Sequence, residues 1–350
     1  MNAFLFVLFF MVVLLAFAEE RMTVRQKQGV LIGLGIVMIF LAATKDINVV
    51  TDADAYEKLF YLNDDPLVEV MTEPTYIHIS RIIIALGGSF AVIFLVYAII
   101  SIPLKLAILN KMTPYVFTAM LIYIPVYYEL HELVQIRAGA AGAFLLCSLY
   151  FFSNKRYWLC TAAFLVAVSF HYSSFTFVPL FFMGTKRIGV VGRWLLACIV
   201  PIGFAMYFLG LDLFMILPSS LIGGKVDFYK SSTEAVGEEI MLVYKNPFFV
   251  LKCILFLVML RFYDYVEEKC KYFTIALKAQ ACSIFMMLSV STVPTLAGRT
   301  SELFGIMDPI LFASIVYLVK PRYAARIIIT CIGLLMMVYN LMLAHYFDEA

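Results

Sequence analysis

Apolar runs of membrane-spanning length recur along the chain, separated by short stretches of charge, glycine and proline. A helix needs about 20 apolar residues to cross the hydrocarbon of a bilayer. Hydropathy and turn signals predict helices near 2–18, 29–44, 79–101, 113–130, 138–153, 157–171, 174–184, 194–211, 247–263, 274–293, 303–319 and 327–346. That is about twelve spans. The runs from 138 to 184 are the shortest, where re-entrant or broken helices are tolerated only if protein or water satisfies the backbone. No soluble domain fits between the runs. The pattern therefore predicts an all-α polytopic membrane protein, a single integral domain over 1–350, with two longer loops near 45–78 and 212–246.

Composition reinforces this reading. The 350 residues are 63% hydrophobic and 14% charged, against about 45–50% and about 25% in soluble domains. The 26 basic residues nearly balance 24 acidic ones, which excludes the clustered positive field that nucleic acid requires. The seven cysteines show no CxxC spacing and avoid the long loops, so neither a disulfide framework nor a zinc site is expected.

Charge also predicts orientation, because Lys and Arg concentrate in cytoplasmic loops. With the 19–28 loop inside, fifteen basic residues fall on the cytoplasmic side, Lys105 and Lys111 among them. Eight fall outside: Lys45, Lys58, Arg81, Arg137, Lys225, Lys230, Lys245 and Arg299. Both termini are then outside. Ala16-Phe17-Ala18 is similar to a cleavage site, but basic residues follow the first apolar run and none precedes it. That arrangement inserts the segment N-terminus-out and leaves it uncleaved. The cytoplasmic loops are short and carry no P-loop or dinucleotide fingerprint, so chemistry is expected on the outer face.

Three clusters could supply it. Arg137 opens a span, with Glu129, His131 and Glu132 before it and Ala138-Gly139-Ala140-Ala141 behind. Ionisable groups at membrane depth usually face a cavity or the protein interior, and small residues permit close approach. The plainer alternative is a snorkelling arginine. His171, in Phe170-His171-Tyr172-Ser173-Ser174, lies at the same predicted level. It could donate to phosphate or carry a proton, or simply precede a helix capped by Ser173 or Ser174. Arg299, in Gly298-Arg299-Thr300-Ser301-Glu302, sits at the outer end of a span and could merely pair with Glu302. Two arginines and a histidine converging from separate helices would suit a diphosphate, since the guanidinium fork binds phosphate oxygens in pairs. Asp52-Ala53-Asp54 has the form of a metal-binding DxD, but nucleotide sugars are not expected outside, so no metal or cofactor is assigned. A loop carboxylate could still act as a general base. Asp64, Asp65 and Glu69 read as solvated charge. Lys278 and Gln280 are expected to reach the cytoplasmic interface, and Asp308 to be an interior partner for a buried cation.

These residues, in this order, resemble the EpsG/Wzy family of polysaccharide polymerases through most of the chain. The segment from Thr51 to Phe60 is similar to a D-Y-x-x-Y-x-x-x-F element, with Asp52 and Tyr56 in matching places. Glu73-Pro74-Thr75-Tyr76 resembles E-P-G-Y before a helix, and Ile136-Arg137 with Ala140-Ala141 resembles I-R-Q-x-x-A. Phe170-His171-Tyr172-Ser173 resembles F-H-x-S, and Gly298 to Phe304 resembles R-x-x-x-Y-F. Lys45, Ala53, Ala138 and Leu303 depart from the pattern. The resemblance implies a GT-C-like glycosyltransferase of the bacterial inner membrane. It would join oligosaccharide repeat units carried on undecaprenyl diphosphate, serving as donor and acceptor, in O-antigen, capsule or exopolysaccharide synthesis. Arg137, Arg299 and His171 would bind diphosphate, Tyr56 the sugar, and Asp52, Glu73 or His171 would be the base. A chain-length regulator and a flippase are the implied partners, besides the bilayer.

Rival readings come from other classes. A flippase or secondary transporter often shows an internal repeat and midplane charges, and neither is evident here. A membrane acyltransferase would also use a histidine but would add an acyl group to its product. A lipopolysaccharide ligase would share the donor and the diphosphate problem.

Overall fold

The computed structural model describes residues 2–46, 50, 52–211, 213, 246–291 and 293–342. The regular elements among them are helical, and they form two compact units, Met1–Phe175 with Pro309–Ala350, and Thr176–Asp308. Six helices of the described residues are long and apolar enough to cross a membrane, and shorter apolar helices accompany them. The count of about twelve therefore mixes full-length helices with short ones. Of the two expected long loops, 212–246 lies outside the described residues except at its edges.

The first unit begins with α1 (Asn2–Ala18) and α2 (Val24–Ala43). A reciprocal capping box between Thr23 and Gln26 starts α2, satisfying amide donors that a helix start leaves open. Phe4, Leu14, Ile32, Ile36 and Phe40 remain exposed on these helices, more apolar surface than a water-soluble protein tolerates. Glu19 accepts from the Phe117 amide at 2.8 Å and the Thr118 hydroxyl at 2.9 Å, placing a carboxylate at the amino end of α7 (Val116–Ile122), where the helix dipole favours it.

The loop expected over 45–78 is largely helical: α3 (Ala53–Tyr61), α4 (Pro66–Met71) and α5 (Pro74–Ala85). Asp65 caps α4 through the Leu67 amide, while Asp64 and Glu69 pair with Arg81. The expected 79–101 span merges α5 with α6 (Ala91–Met112). Between them the chain reverses at Gly87, whose φ of +74° suits glycine. Hydropathy misses the reversal because both flanking helices are apolar. Stacking of Tyr56 on Tyr76 and contacts of Tyr76 with Tyr97 and of Phe60 with Phe90 fasten α3 and α5 along α6.

After α7 the backbone is π-helical over Tyr123–Val134, and then α8 (Ile136–Ser153) and α9 (Tyr157–Phe170) form a packed pair. Gly139 is required here: a Cβ would lie 2.2 Å from the His131 carbonyl oxygen. The predicted run 174–184 is a 3-10 turn, Tyr172–Phe177, followed by α10 (Val178–Met183).

In the second unit α11 (Val190–Ala197), α12 (Ile199–Phe208), α13 (Pro247–Arg261) and α14 (Tyr263–Glu267) precede α15 (Phe273–Ser289), a central helix against which α10, α12, α13 and α16 (Pro294–Gly305) pack. The predicted 303–319 helix is interrupted, α17 (Asp308–Ala313) and α18 (Ile315–Leu318) being separate pieces. The last helix, α19 (Arg322–Met342), rejoins the first unit against α7, α1 and the π-helical turn.

Two basic residues change places. Lys105, expected in a cytoplasmic loop, is buried inside α6 and bonds Glu132 at 2.5 Å. Lys45, expected outside, is buried too and donates to the Leu133 carbonyl over the Phe94 ring. A sequence run cannot reveal a carboxylate or carbonyl waiting on a neighbouring helix.

Candidate functional site

Three chain ends in the first unit bring Glu73, Arg137 and His171 together. Glu73 immediately precedes Pro74, which holds it extended at φ −61°, ψ 136°. Its side chain makes no cap bond to α5 and turns to the other two groups instead. Arg137 occupies the first turn of α8, and His171 ends α9 in extended backbone. Glu73 Oε2 receives Arg137 Nη1 at 2.5 Å, and Oε1 lies 2.8 Å from His171 Nδ1. The Glu73 side chain is 7% exposed, that of His171 13% and that of Arg137 21%. The group is sheltered but reachable.

Aromatic rings fix it. The Arg137 guanidinium lies 5.1 Å from the Tyr56 ring centroid and 5.6 Å from that of Tyr76, within the range of cation–π attraction. The Tyr76 hydroxyl donates to the Tyr56 carbonyl at 2.6 Å. Thr75 donates to the Ser169 carbonyl at 2.6 Å, tying α5 to the end of α9 two residues before the histidine.

Burial alone would raise the Glu73 carboxyl, but the His171 hydrogen bond and the Arg137 charge outweigh it and hold the group at about 2. Glu73 is thus a firmly ionised anchor with both oxygens engaged, a poor choice for a proton acceptor. Engaging Nδ1 leaves His171 Nε2 as the ring atom open to chemistry. It is buried and has no hydrogen-bond partner among the described residues, as is Arg137 Nε. A neutral imidazole donating Nδ1–H to the carboxylate offers a lone pair at Nε2, whereas an imidazolium offers a donor there.

The other predicted residues are placed as follows. Asp52 stands half-buried before α3 and does not cap it; Tyr56, one turn later, is the residue of that segment that reaches Arg137. Arg299 is a half-buried residue of α16 in the second unit, with no ion pair among the described residues. Asp308 does meet a buried cation, Lys252, at 2.8 Å, and Lys252 also donates to Ser283. Lys278 crowns the end of α10 through the carbonyls of Met183, Gly184 and Lys186. Gln280, expected at the interface, is instead fully buried, because it lies on the packed face of α15. Sequence reasoning missed the network behind the site. Glu132 Oε1 gathers Ser101 at 2.9 Å, Lys105 at 2.5 Å and Tyr123 at 3.2 Å, and Ser101 also donates to the Gly139 carbonyl. The available signal was the placement of Glu132 and Lys105 within apolar runs. Among the described residues no group of three or more His, Cys, Asp or Glu is arranged to hold a metal ion.

The helices and the buried carboxylate–arginine–histidine group define a polytopic membrane protein with a polar site enclosed by helix ends. The chain matches the model of the EpsG family over residues 29–349 and belongs to that family. This is a glycosyltransferase-like polymerase family, which gives the chain a broad role in polysaccharide biosynthesis. No curated protein and no solved structure matches the chain.

Proposed function

We propose that the protein polymerises oligosaccharide repeat units carried on a polyprenyl diphosphate, at the outer face of the bacterial inner membrane. The observation that carries this reading is the single carboxylate of Glu73 bonded at once to Arg137 and to His171 Nδ1. It orients a histidine with a free Nε2 beside a guanidinium, pairing a proton acceptor with a group that stabilises phosphate charge. In the reaction, the acceptor sugar hydroxyl attacks the anomeric carbon of the donor. His171 Nε2 takes the hydroxyl proton, the bond from the anomeric carbon to the diphosphate oxygen breaks, and the diphosphate leaves with the bonding pair. Arg137 meets the charge growing on it, a stabilisation suited to a sheltered, fixed site. Glu73 serves by positioning His171 and Arg137, and Tyr56 offers an aromatic face at the site. Asp52 remains the alternative base, since it lies one turn from Tyr56.

The test uses membranes supplied with lipid-linked repeat units, with chain length read on gels. A general base contributes typically about 10²–10⁴-fold, so His171→Gln should slow polymerisation on that scale while units still bind. Arg137→Lys keeps charge but loses the fork and should also be severely impaired. In cells, both variants should accumulate single units on the outer face. Units held on the cytoplasmic face would identify a transporter instead, and wild-type chain lengths in both variants would end the assignment.

A further inference from the structure

A second site lies in the unit formed by residues 176–308, at the end of the α11–α13 helix pair. A 370 Å³ pocket there is lined by Arg193 and Arg261 together with Trp194, Ala197, Leu257 and Leu260. Arg193 sits in the first turn of α11 and Arg261 closes α13, so two guanidiniums flank one end of the pair while the remaining wall is apolar. Trp194 is 71% exposed and Leu257 42%, so the pocket opens along a hydrocarbon-facing surface.

The two arginines differ in how they are held. Arg193 Nη1 bonds Asp264 at 2.7 Å, and its guanidinium lies 5.4 Å from the Tyr263 ring centroid. That ring is immobilised by bonds of its hydroxyl to Thr274 and the Ile188 amide. Arg261 is exposed, rests near the Phe262 ring and has no carboxylate partner among the described residues. Arg187 shares Asp264 and approaches Glu267. Arg187 and Arg193 thus balance Asp264 and Glu267, and Arg261 adds a positive charge to the pocket that no carboxylate among the described residues offsets.

We propose that this pocket binds an anionic bilayer phospholipid. Its phosphodiester would lie between Arg193 and Arg261, and an acyl chain would run along Ala197, Leu257 and Leu260. Charge complementarity favours a phosphate, and the apolar wall continuing from the arginines favours one that carries a hydrocarbon chain. Basic pockets between membrane helices take anionic headgroups in this way. The orientation expected from the basic residues assigns Arg193 to the cytoplasmic side, so the lipid would come from the cytoplasmic leaflet. Occupancy of the pocket is independent of the polymerisation proposed above.

Trp194 supplies the readout, because the chain has only one other tryptophan, Trp158. The Trp158→Phe protein would be reconstituted in phosphatidylcholine vesicles containing a small, equal fraction of brominated-chain phosphatidylglycerol or brominated-chain phosphatidylcholine. Bromine quenches tryptophan only on close contact. Phosphatidylglycerol should quench more strongly, with a preference of about fivefold per arginine. Arg261→Gln should remove about one such factor, and the Arg193→Gln/Arg261→Gln protein should show no headgroup preference. Arg261 is exposed, so its single variant guards against misfolding of the double one. Equal quenching by both lipids in the parent, or an unchanged preference in both variants, would overturn the proposal. Loss of the preference on adding millimolar inorganic phosphate at constant ionic strength would assign the pocket to a free anion and overturn it as well.

Discussion

Replacing Glu73 by glutamine removes the charge between Arg137 and His171 while nearly preserving shape. An amide oxygen can accept one hydrogen bond, but the amide nitrogen then faces the other donor. One charge-assisted bond of 2.5 or 2.8 Å must be lost. The ordinary carboxyl value of 4.5 falls to about 2 in the folded protein, a difference worth about 3 kcal/mol in favour of the ionised form. Removing one partner of a buried pair independently suggests about 3–5 kcal/mol, and the partial exposure of Arg137 argues for the lower end. For a protein of this size about 3 kcal/mol lowers the melting temperature by roughly 4 °C, measurable by thermal unfolding in detergent. The sign with pH is fixed. Glu73 contributes fully above about 4.5, and its contribution disappears as pH falls through about 2. The gap between wild type and Glu73→Gln should therefore be wide at pH 6, about three-quarters of that at pH 4, about two-fifths at pH 3 and nearly closed at pH 2. A gap that stays constant from pH 6 to 3, or is absent at pH 6, would refute the view of Glu73 as an ionised anchor.

Asp52→Asn should leave polymerisation within a few-fold of wild type in the chain-length assay if His171 is the base; a loss of about 10²-fold or more would move that role to Asp52. Lys252→Ala, which removes the buried cation paired with Asp308, should cost about 3–5 kcal/mol in thermal unfolding, and Lys252→Met with Asp308→Leu should recover most of it. Gly139→Ala drives a Cβ into the His131 carbonyl and should destabilise by more than about 1–3 kcal/mol, with the polymerisation rate falling alongside.

The membrane character, the residues now joined at the site and the role of Asp308 as interior partner of a buried cation were legible in sequence, though not that the cation is Lys252. Glu73, Arg137 and His171 could be chosen because each is an ionisable or imidazole group standing where an apolar run begins or ends. Their arrangement was not legible. By sequence Asp52 comes first as base, Glu73 second and His171 third, but both Glu73 oxygens are occupied, which turns attention to the far nitrogen of His171. The helical hairpin over 74–112 escaped because hydropathy is blind to a reversal between two apolar helices, and the Gly87-Gly88 pair was its only mark. Lys105 reads as a loop residue in sequence because a lone cation near an apolar run gives no hint of a carboxylate on another helix. Gln280 differs for the converse reason, since a polar residue in the middle of an apolar helix can face the packed interior as readily as water.

The π-helical turn from Tyr123 to Val134 ends only three residues before Arg137, and that constrains how the gene can change length. A π-helix carries more residues per turn than an α-helix, and single-turn forms arise by inserting a residue into regular helix. Deleting a residue beyond what such a relaxation absorbs would turn everything after it by about 100°. Arg137 would then swing away from Glu73, and the close contact of Gly139 with the His131 carbonyl would be lost. Surface loops elsewhere can lengthen or shorten freely, whereas these twelve residues act as a ruler whose graduation is a single codon.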